Sequence, residues 1–114
     1  MKKILKSFEW AVNGIRTVWC EEVNFRIEIA VSVLVVALGL SLGFSILEWV
    51  IITGCIGAVL SAEILNTAIE DLCNRVEPNI DPIIGRVKDM MGGFVLVVSV
   101  VSVAIGLIIL SGHL

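Results

Sequence analysis

The stretch M-M-G-G-F-V-L-V-V-S-V-V-S-V-A-I-G-L-I-I-L-S-G-H-L, Met90 to Leu114, contains no Asp, Glu, Lys or Arg. A hydrocarbon core about 30 Å thick is crossed by roughly 20 apolar residues of helix, and this run supplies them. Upstream the pattern repeats. Nothing ionises from Ile29 to Leu47, and a second run from Trp49 to Ala62 is interrupted by Glu63 and resumes from Ile64 to Ile69. Backbone groups in lipid have no water to bond, so each run reads as a helix. The 114 residues are 58% hydrophobic and 17% charged with a mean hydropathy of +1.04, against about 25% charged for an ordinary soluble domain. A soluble three-helix bundle this apolar would lack polar surface. One domain fits the length, a second does not, and a net charge of -3 gives no nucleic-acid footprint.

The cations set the orientation. Lys2, Lys3, Lys6, Arg16 and Arg26 precede the first run, Arg75, Arg86 and Lys88 lie between the second and third, and the connection around Ser45 to Glu48 has none. The positive-inside rule then makes the N-terminus and the 75–88 segment cytoplasmic and the C-terminus external. The expected architecture is an all-α membrane protein in one domain, 1–114: an interfacial helix over 1–21 and spans over 24–47, 49–74 and 86–112. A cleaved signal peptide is not expected, because the first apolar run follows a charged segment and no small-residue cleavage site comes after it.

At 100° per residue, Ile4, Phe8, Val12, Ile15 and Trp19 share one side of the first 21 residues, with Leu5, Ala11 and Val18 flanking; Lys3, Lys6, Trp10 and Asn13 take the other. The segment reads as an amphipathic helix lying in the membrane interface. Trp10 is off the apolar stripe, which leaves it open as a headgroup-level aromatic or a nucleotide-stacking one. Gly39 with Gly43, and Gly54 with Ala58 and Ala62, give small faces on which helices approach closely, and a homo-oligomer is expected. Cys20, Cys55 and Cys73 lack metal-ligand spacing and read as free thiols. His113 has no neighbour in the sequence that would give it a role.

Chemistry begins in S-A-E-I-L-N-T-A-I-E-D-L-C-N, Ser61 to Asn74. Glu63, Thr67, Glu70 and Asn74 recur at intervals of four, three and four and stack along one helical stripe with Asn66 at its margin. An ionisable side chain within a span faces a bundle interior and marks a functional path. Asp71 projects off this stripe and reads as a solvated charge. A second cluster, C-E-E-V-N-F-R-I-E, puts Glu21, Glu22, Arg26 and Glu28 at the mouth of the first span. It reads either as salt bridges from Arg26 to Glu22 and Glu28 or as carboxylates holding a divalent cation; Mg2+ takes one or two carboxylates plus substrate phosphates, which Glu22 and Glu70 would suit. G-R-V-K-D-M-M-G-G, Gly85 to Gly93, adds Arg86 and Lys88, either as phosphate ligands or as an ordinary positive-inside flank. There is no G-x-x-x-x-G-K-[ST] loop and no protein-kinase signature set.

Taken together, E-I-L-N-T-A-I-E-D (Glu63 to Asp71), G-R-V-K-D-M (Gly85 to Met90), E-x-x-F-R-x-E (Glu22 to Glu28) and G-I-R-x-x-W (Gly14 to Trp19) resemble the prokaryotic integral-membrane diacylglycerol kinase family, which includes the undecaprenol kinases. The resemblance implies a homotrimer in the bacterial inner membrane with active sites at the cytoplasmic interface between protomers. It implies ATP as co-substrate, Mg2+ as cofactor and a membrane lipid as acceptor, with diacylglycerol leading and undecaprenol the alternative. Glu63 matches the general base and Asn66 the residue beside it; Glu22 and Glu70 match the Mg2+ carboxylates. Lys88 and Asp89 match the pair at the ATP polyphosphate, and Lys3 and Trp10 fall where the family contacts ATP. Asn74 departs from a commonly acidic position. Two rivals of other classes, a small proton-coupled transporter and a non-catalytic membrane scaffold, both predict no ATP consumption.

Overall fold

The computed structural model describes residues 1–114 as four helices: α1 (Lys2–Glu21), α2 (Val23–Leu42), α3 (Ile46–Val76) and α4 (Pro82–Ser111). The last three are long and apolar enough to cross a membrane. Only 9 of 114 residues are buried, and the two most completely buried side chains are Glu63 and Thr67. Large apolar side chains such as Leu40, Leu96 and Ile108 point outward instead. That inversion is the expected result when the surrounding solvent is hydrocarbon, because an apolar side chain then gains nothing by facing inward while a polar one does.

The ends of the helices are set by local chemistry. α1 stops at Glu22, whose extended backbone (φ -116°, ψ 112°) separates it from α2. Arg26 donates to the carbonyls of Trp19 and Cys20, two of the acceptors that a helix C-terminus leaves unpaired. Arg26 therefore serves as a cap and makes no ion pair with Glu22 or Glu28. α2 ends at Leu42, short of the expected 47, because Gly43 turns the chain at φ +75°, a left-handed conformation suited to glycine. α3 then starts at Ile46, earlier than 49. Ser45 caps it: Glu48 N–H donates to Ser45 Oγ at 3.2 Å, and Ser45 N–H donates to Glu48 Oε1 at 2.9 Å. α4 likewise begins at Pro82 rather than 86, with Asp81 accepting from the N–H groups of Ile83 and Ile84 and proline in the first turn.

α4 packs mainly on α3, α2 packs on the other side of α3, α1 touches both α2 and α3, and α2 and α4 do not meet. At the end formed by the α2–α3 turn and the C-terminus, Phe44 tucks between Trp49 and His113 at ring separations of 5.4 and 5.1 Å. His113 is not isolated, as the sequence suggested. Its Nε2 donates to the Glu48 carboxylate at 2.9 and 3.0 Å, a contact across the fold that ties the end of α4 to the start of α3. Gly39 makes this cluster possible. A methyl group there would lie 2.7 Å from atoms of both the Phe44 and Trp49 rings. Gly39→Ala is expected to destabilise the chain by about 1–3 kcal/mol through overpacking, read as a lower midpoint when the protein in mild micelles is titrated with dodecyl sulfate. An unchanged midpoint would mean that the rings move aside freely.

Candidate active site

The polar stripe of α3 lies at the opposite end of the bundle, where α1 gives way to α2 and α3 connects to α4; Glu63 and Thr67 face inward, while Glu70 and Asn74 farther along are exposed. Glu63 and Thr67 are each 2% exposed, and Thr67 Oγ1 donates to the carbonyl of Glu63 at 2.9 Å, so the threonine satisfies itself without using the Glu63 carboxylate. At 1.5 Å per residue Glu63 stands about 26 Å along α3 from Ile46 and Glu70 about 36 Å, so a hydrocarbon core about 30 Å thick that started at Ile46 would end between them.

One turn beyond Glu63 the stripe opens into a cavity of about 210 Å3 lined by Asn66, Ile69 and Glu70 of α3 and Lys88, Met91 and Gly92 of α4. Lys88 Nζ donates to Asn74 Oδ1 at 2.5 Å, which fixes the ammonium over the last turns of α3. Asn74 therefore anchors the lysine. Asp89, next in sequence, is exposed on α4 and does not line this cavity. Lys3 and Trp10 are exposed along α1 and do not reach it within one chain. Glu22, half-buried at the α1–α2 break, and Glu70 both lie within electrostatic range of Glu63. Glu28 belongs to the same group: it is within range of Glu63, and its Oε2 is buried with no hydrogen-bond partner. The sequence placed Glu28 only in the charged mouth of the first span; an orphaned acceptor can be recognised only once α2 and α3 are packed.

Asp71 is exposed, but it is more than a solvated charge. It shares a hydrogen bond with Glu21, and that bond, aided by partial loss of hydration and by the charges of Asp71, Glu22 and Glu70, pushes the Glu21 carboxyl above the usual carboxylate range. A carboxyl whose pKa is raised on folding favours the folded state only while it is protonated, so its contribution fades as pH rises from the unfolded value of 4.5 through the raised one. In metal-free protein, Glu21→Gln is therefore expected to melt at a higher temperature than the parent at pH 8 and to lose that advantage below pH 4.5. Equal melting temperatures at pH 8 would show that the carboxylates do not strain one another.

Glu21, Glu22, Glu28, Glu63, Glu70 and Asp71 thus gather at one end, with Lys88 at the edge of the same site. No three Asp, Glu, His or Cys side chains converge tightly enough to cage a metal. The donor set instead fits an ion that takes one or two carboxylates and completes its shell with phosphate oxygens and water, as Mg2+ does.

The model of the prokaryotic diacylglycerol kinase family matches residues 9–110, nearly the whole chain and all of the site except Lys3. The chain belongs to the prokaryotic diacylglycerol kinase family. Among relatives, an undecaprenol kinase of Bacillus subtilis is 37% identical over 109 residues, covering 96% of this chain and 89% of its own. A diacylglycerol kinase of Escherichia coli is 31% identical over 111 residues, covering 97% and 91%. A diacylglycerol kinase of Haemophilus influenzae is 24% identical over 86 residues, covering 75% and 73%. As a member of the prokaryotic diacylglycerol kinase family with three candidate spans, the chain is a bacterial membrane enzyme, and kinase membership implies ATP as its co-substrate.

Proposed function

We propose that this enzyme transfers the γ-phosphate of ATP to the hydroxyl of a membrane lipid, with Glu63 as general base. The observation that carries the reading is the 2% exposed Glu63 on a membrane-crossing helix, one turn from a cavity shared by Asn66, Glu70 and Lys88. Phosphoryl transfer asks the protein mainly for positioning and charge stabilisation, which a small chain can supply without a nucleotide-binding domain. The Glu63 carboxylate takes the proton of the lipid alcohol as its oxygen forms a bond to the γ-phosphorus and the bond to the β-phosphate oxygen breaks. Asn66 orients the carboxylate or the alcohol. Lys88 lies against the charge that builds on the transferring group. Glu22 and Glu70 would hold Mg2+, which when bound would supply positive charge to offset that of the phosphates. Asp89, Lys3 and Trp10 act on ATP; since they do not line the cavity within one chain, a trimer in which neighbouring protomers complete each site is the assembly that suits them.

The exposed apolar face of α1, with Ile4, Phe8, Val12 and Ile15 each at least half exposed, supports a helix lying on the membrane surface. It would hold ATP at the depth of the lipid hydroxyl. The cation distribution supports a cytoplasmic N-terminus and active site, an external C-terminus and residence in the inner membrane. Diacylglycerol is the leading acceptor. The higher identity to the undecaprenol kinase, 37% against 31%, favours keeping undecaprenol beside it. The deciding experiment gives purified protein in micelles labelled ATP and Mg2+ with either lipid. Label in a lipid product is expected, and the acceptor that turns over faster names the substrate. ATP left intact with both lipids would sink the reading in favour of the transporter or scaffold alternatives.

A further inference from the structure

Two side-chain contacts join α4 and the turn after it to α3, one at each end. At the site end Lys88 Nζ donates to Asn74 Oδ1 at 2.5 Å. At the opposite end His113 Nε2 meets both oxygens of Glu48, at 2.9 and 3.0 Å, with the two side chains only 21% and 24% exposed. No other side-chain hydrogen bond or ion pair crosses between the two helices. The two contacts are matched in spacing. Glu48 and Asn74 are 26 residues apart on α3, about 39 Å of helical rise, and Lys88 and His113 are 25 apart.

Little else fixes α4 lengthwise. None of its residues is buried within the chain, and from Met90 onward it carries no Asp, Glu, Lys or Arg. Apolar side chains surrounded by lipid tails gain no hydrophobic free energy by meeting one another, so such a face permits sliding that polar contacts forbid. A slip of one residue moves α4 by about 1.5 Å and turns it by about 100°, which breaks both contacts.

We propose that the His113–Glu48 pair is a proton-controlled pin that keeps α4 in register with α3 and so positions Lys88 for phosphoryl transfer at the other end of the bundle. The inference rests on the lipid kinase reading and adds to it a positioning residue, His113, and a signal, the proton concentration on the side of the membrane away from the cavity. The cation distribution supports an external location for the pin in the cell.

Histidine is the side chain whose charge changes between about pH 5 and 8. A protonated ring adds positive charge to a contact already within hydrogen-bond distance of both carboxylate oxygens and strengthens it. The Phe44 ring, 5.1 Å away, adds a cation–π attraction. A neutral ring keeps one N–H for the carboxylate and loses both charge terms. Glu48 is the one charged or titratable side chain that faces the imidazole. α2 contributes nothing that ionises from Ile29 to its end, and α4 nothing from Met90 to Ser111. Glu48 Oε1 also accepts from Ser45 N–H, which holds the carboxylate in place in either state of the ring. The added stabilisation is therefore present at mildly acidic pH and is lost as pH rises through the range in which histidine titrates.

α3 crosses the membrane with the cavity near one end and the pin at the other. ATP does not cross a bilayer, so in liposomes ATP added outside reports only molecules whose pin faces the lumen. The outside is held at about pH 7 and the lumen buffered at about pH 6 or about pH 8, on either side of the ordinary histidine value. kcat is expected to be about threefold lower with the alkaline lumen, the scale of one partly exposed ion pair, with KM for the lipid unchanged. A readout that needs no turnover is acetylation of Lys88 by membrane-impermeant sulfo-N-hydroxysuccinimide acetate from outside, followed by peptide mass spectrometry, with the exposed Lys2 of α1 as internal control. Lys88 should react about threefold faster with the alkaline lumen, and Lys2 equally with both. His113→Gln, which keeps an N–H donor but cannot titrate, should remove the difference, and His113→Ala should leave Lys88 reactive at both lumenal pH values. Equal Lys88 rates in the parent protein overturn the proposal, as does a difference that survives in His113→Gln. Turnover that ignores the lumen while Lys88 labelling follows it also overturns it. Labelling that follows the lumen in protein that transfers no phosphate would sink the kinase reading and keep the pin, while active protein whose Lys88 is indifferent to the lumen would do the reverse.

Discussion

Glu63→Gln should leave a folded protein that binds ATP and lipid and transfers phosphate about 10²–10⁴-fold more slowly, the range over which a positioned general base contributes. The amide keeps the volume and one acceptor of the carboxylate at a site only 2% exposed, so packing is preserved while the basic oxygen is lost. The loss should fall on kcat, with KM for both substrates little changed, because the proton is moved only as the new bond forms. Glu63 also has the negative neighbours Glu22, Glu28 and Glu70, so the variant should be no less stable than the parent in the absence of metal. A single-turnover measurement with labelled ATP checks the chemical step directly. A rate within a factor of three of the parent would remove Glu63 from the base role.

The second large effect is expected at the carboxylates assigned to Mg2+. Glu70→Gln and Glu22→Gln should each raise the Mg2+ concentration needed for half-maximal activity by more than the roughly 10–100-fold that follows loss of an outer-shell partner. The same substitutions should have the opposite effect on the metal-free protein, where Glu70 and Glu22 raise the energy of the charged Glu21 beside them. Thermal melts should therefore show the two variants equal to or above the parent in chelator and below it at saturating Mg2+ and ATP. An unchanged Mg2+ requirement in both variants would mean that the acidic end of the bundle does not hold the metal.

The spans and the polar seam could be read from the sequence because both depend on periodicity along one helix. Glu63, Thr67 and Glu70 needed only the spacing of four and three to fall on one face, and the burial of the first two follows from placing that face inward. What the sequence did not disclose depends on two segments meeting. His113 reads as solitary until the C-terminus folds back onto a capping residue 65 positions away. Arg26 reads as a partner for Glu22 or Glu28 by proximity in sequence, yet the chain break at Glu22 turns its guanidinium onto the open carbonyls of α1. Hydropathy does not mark the α2–α3 boundary, for a local reason. Ile46 and Leu47 are as apolar as the residues before them, so hydropathy ran through a turn that a left-handed glycine and the Ser45–Glu48 box mark. Glu28 stood in a recognised motif, but only the approach of α2 to α3 shows that one of its oxygens lacks a partner.

The Ser45 cap has a consequence for the host membrane. It starts an unbroken rod at Ile46, so Glu63, the proposed base, is carried at a fixed height above the α2–α3 turn, about 26 Å by helical rise. Bilayers differ in thickness by several ångströms, and a stiff helix cannot shorten to match them. Lipids with longer tails would draw the boundary past Glu63 and submerge it, whereas shorter ones would leave it bathed in water, so the acyl length of the surrounding leaflet acts as a ruler for turnover.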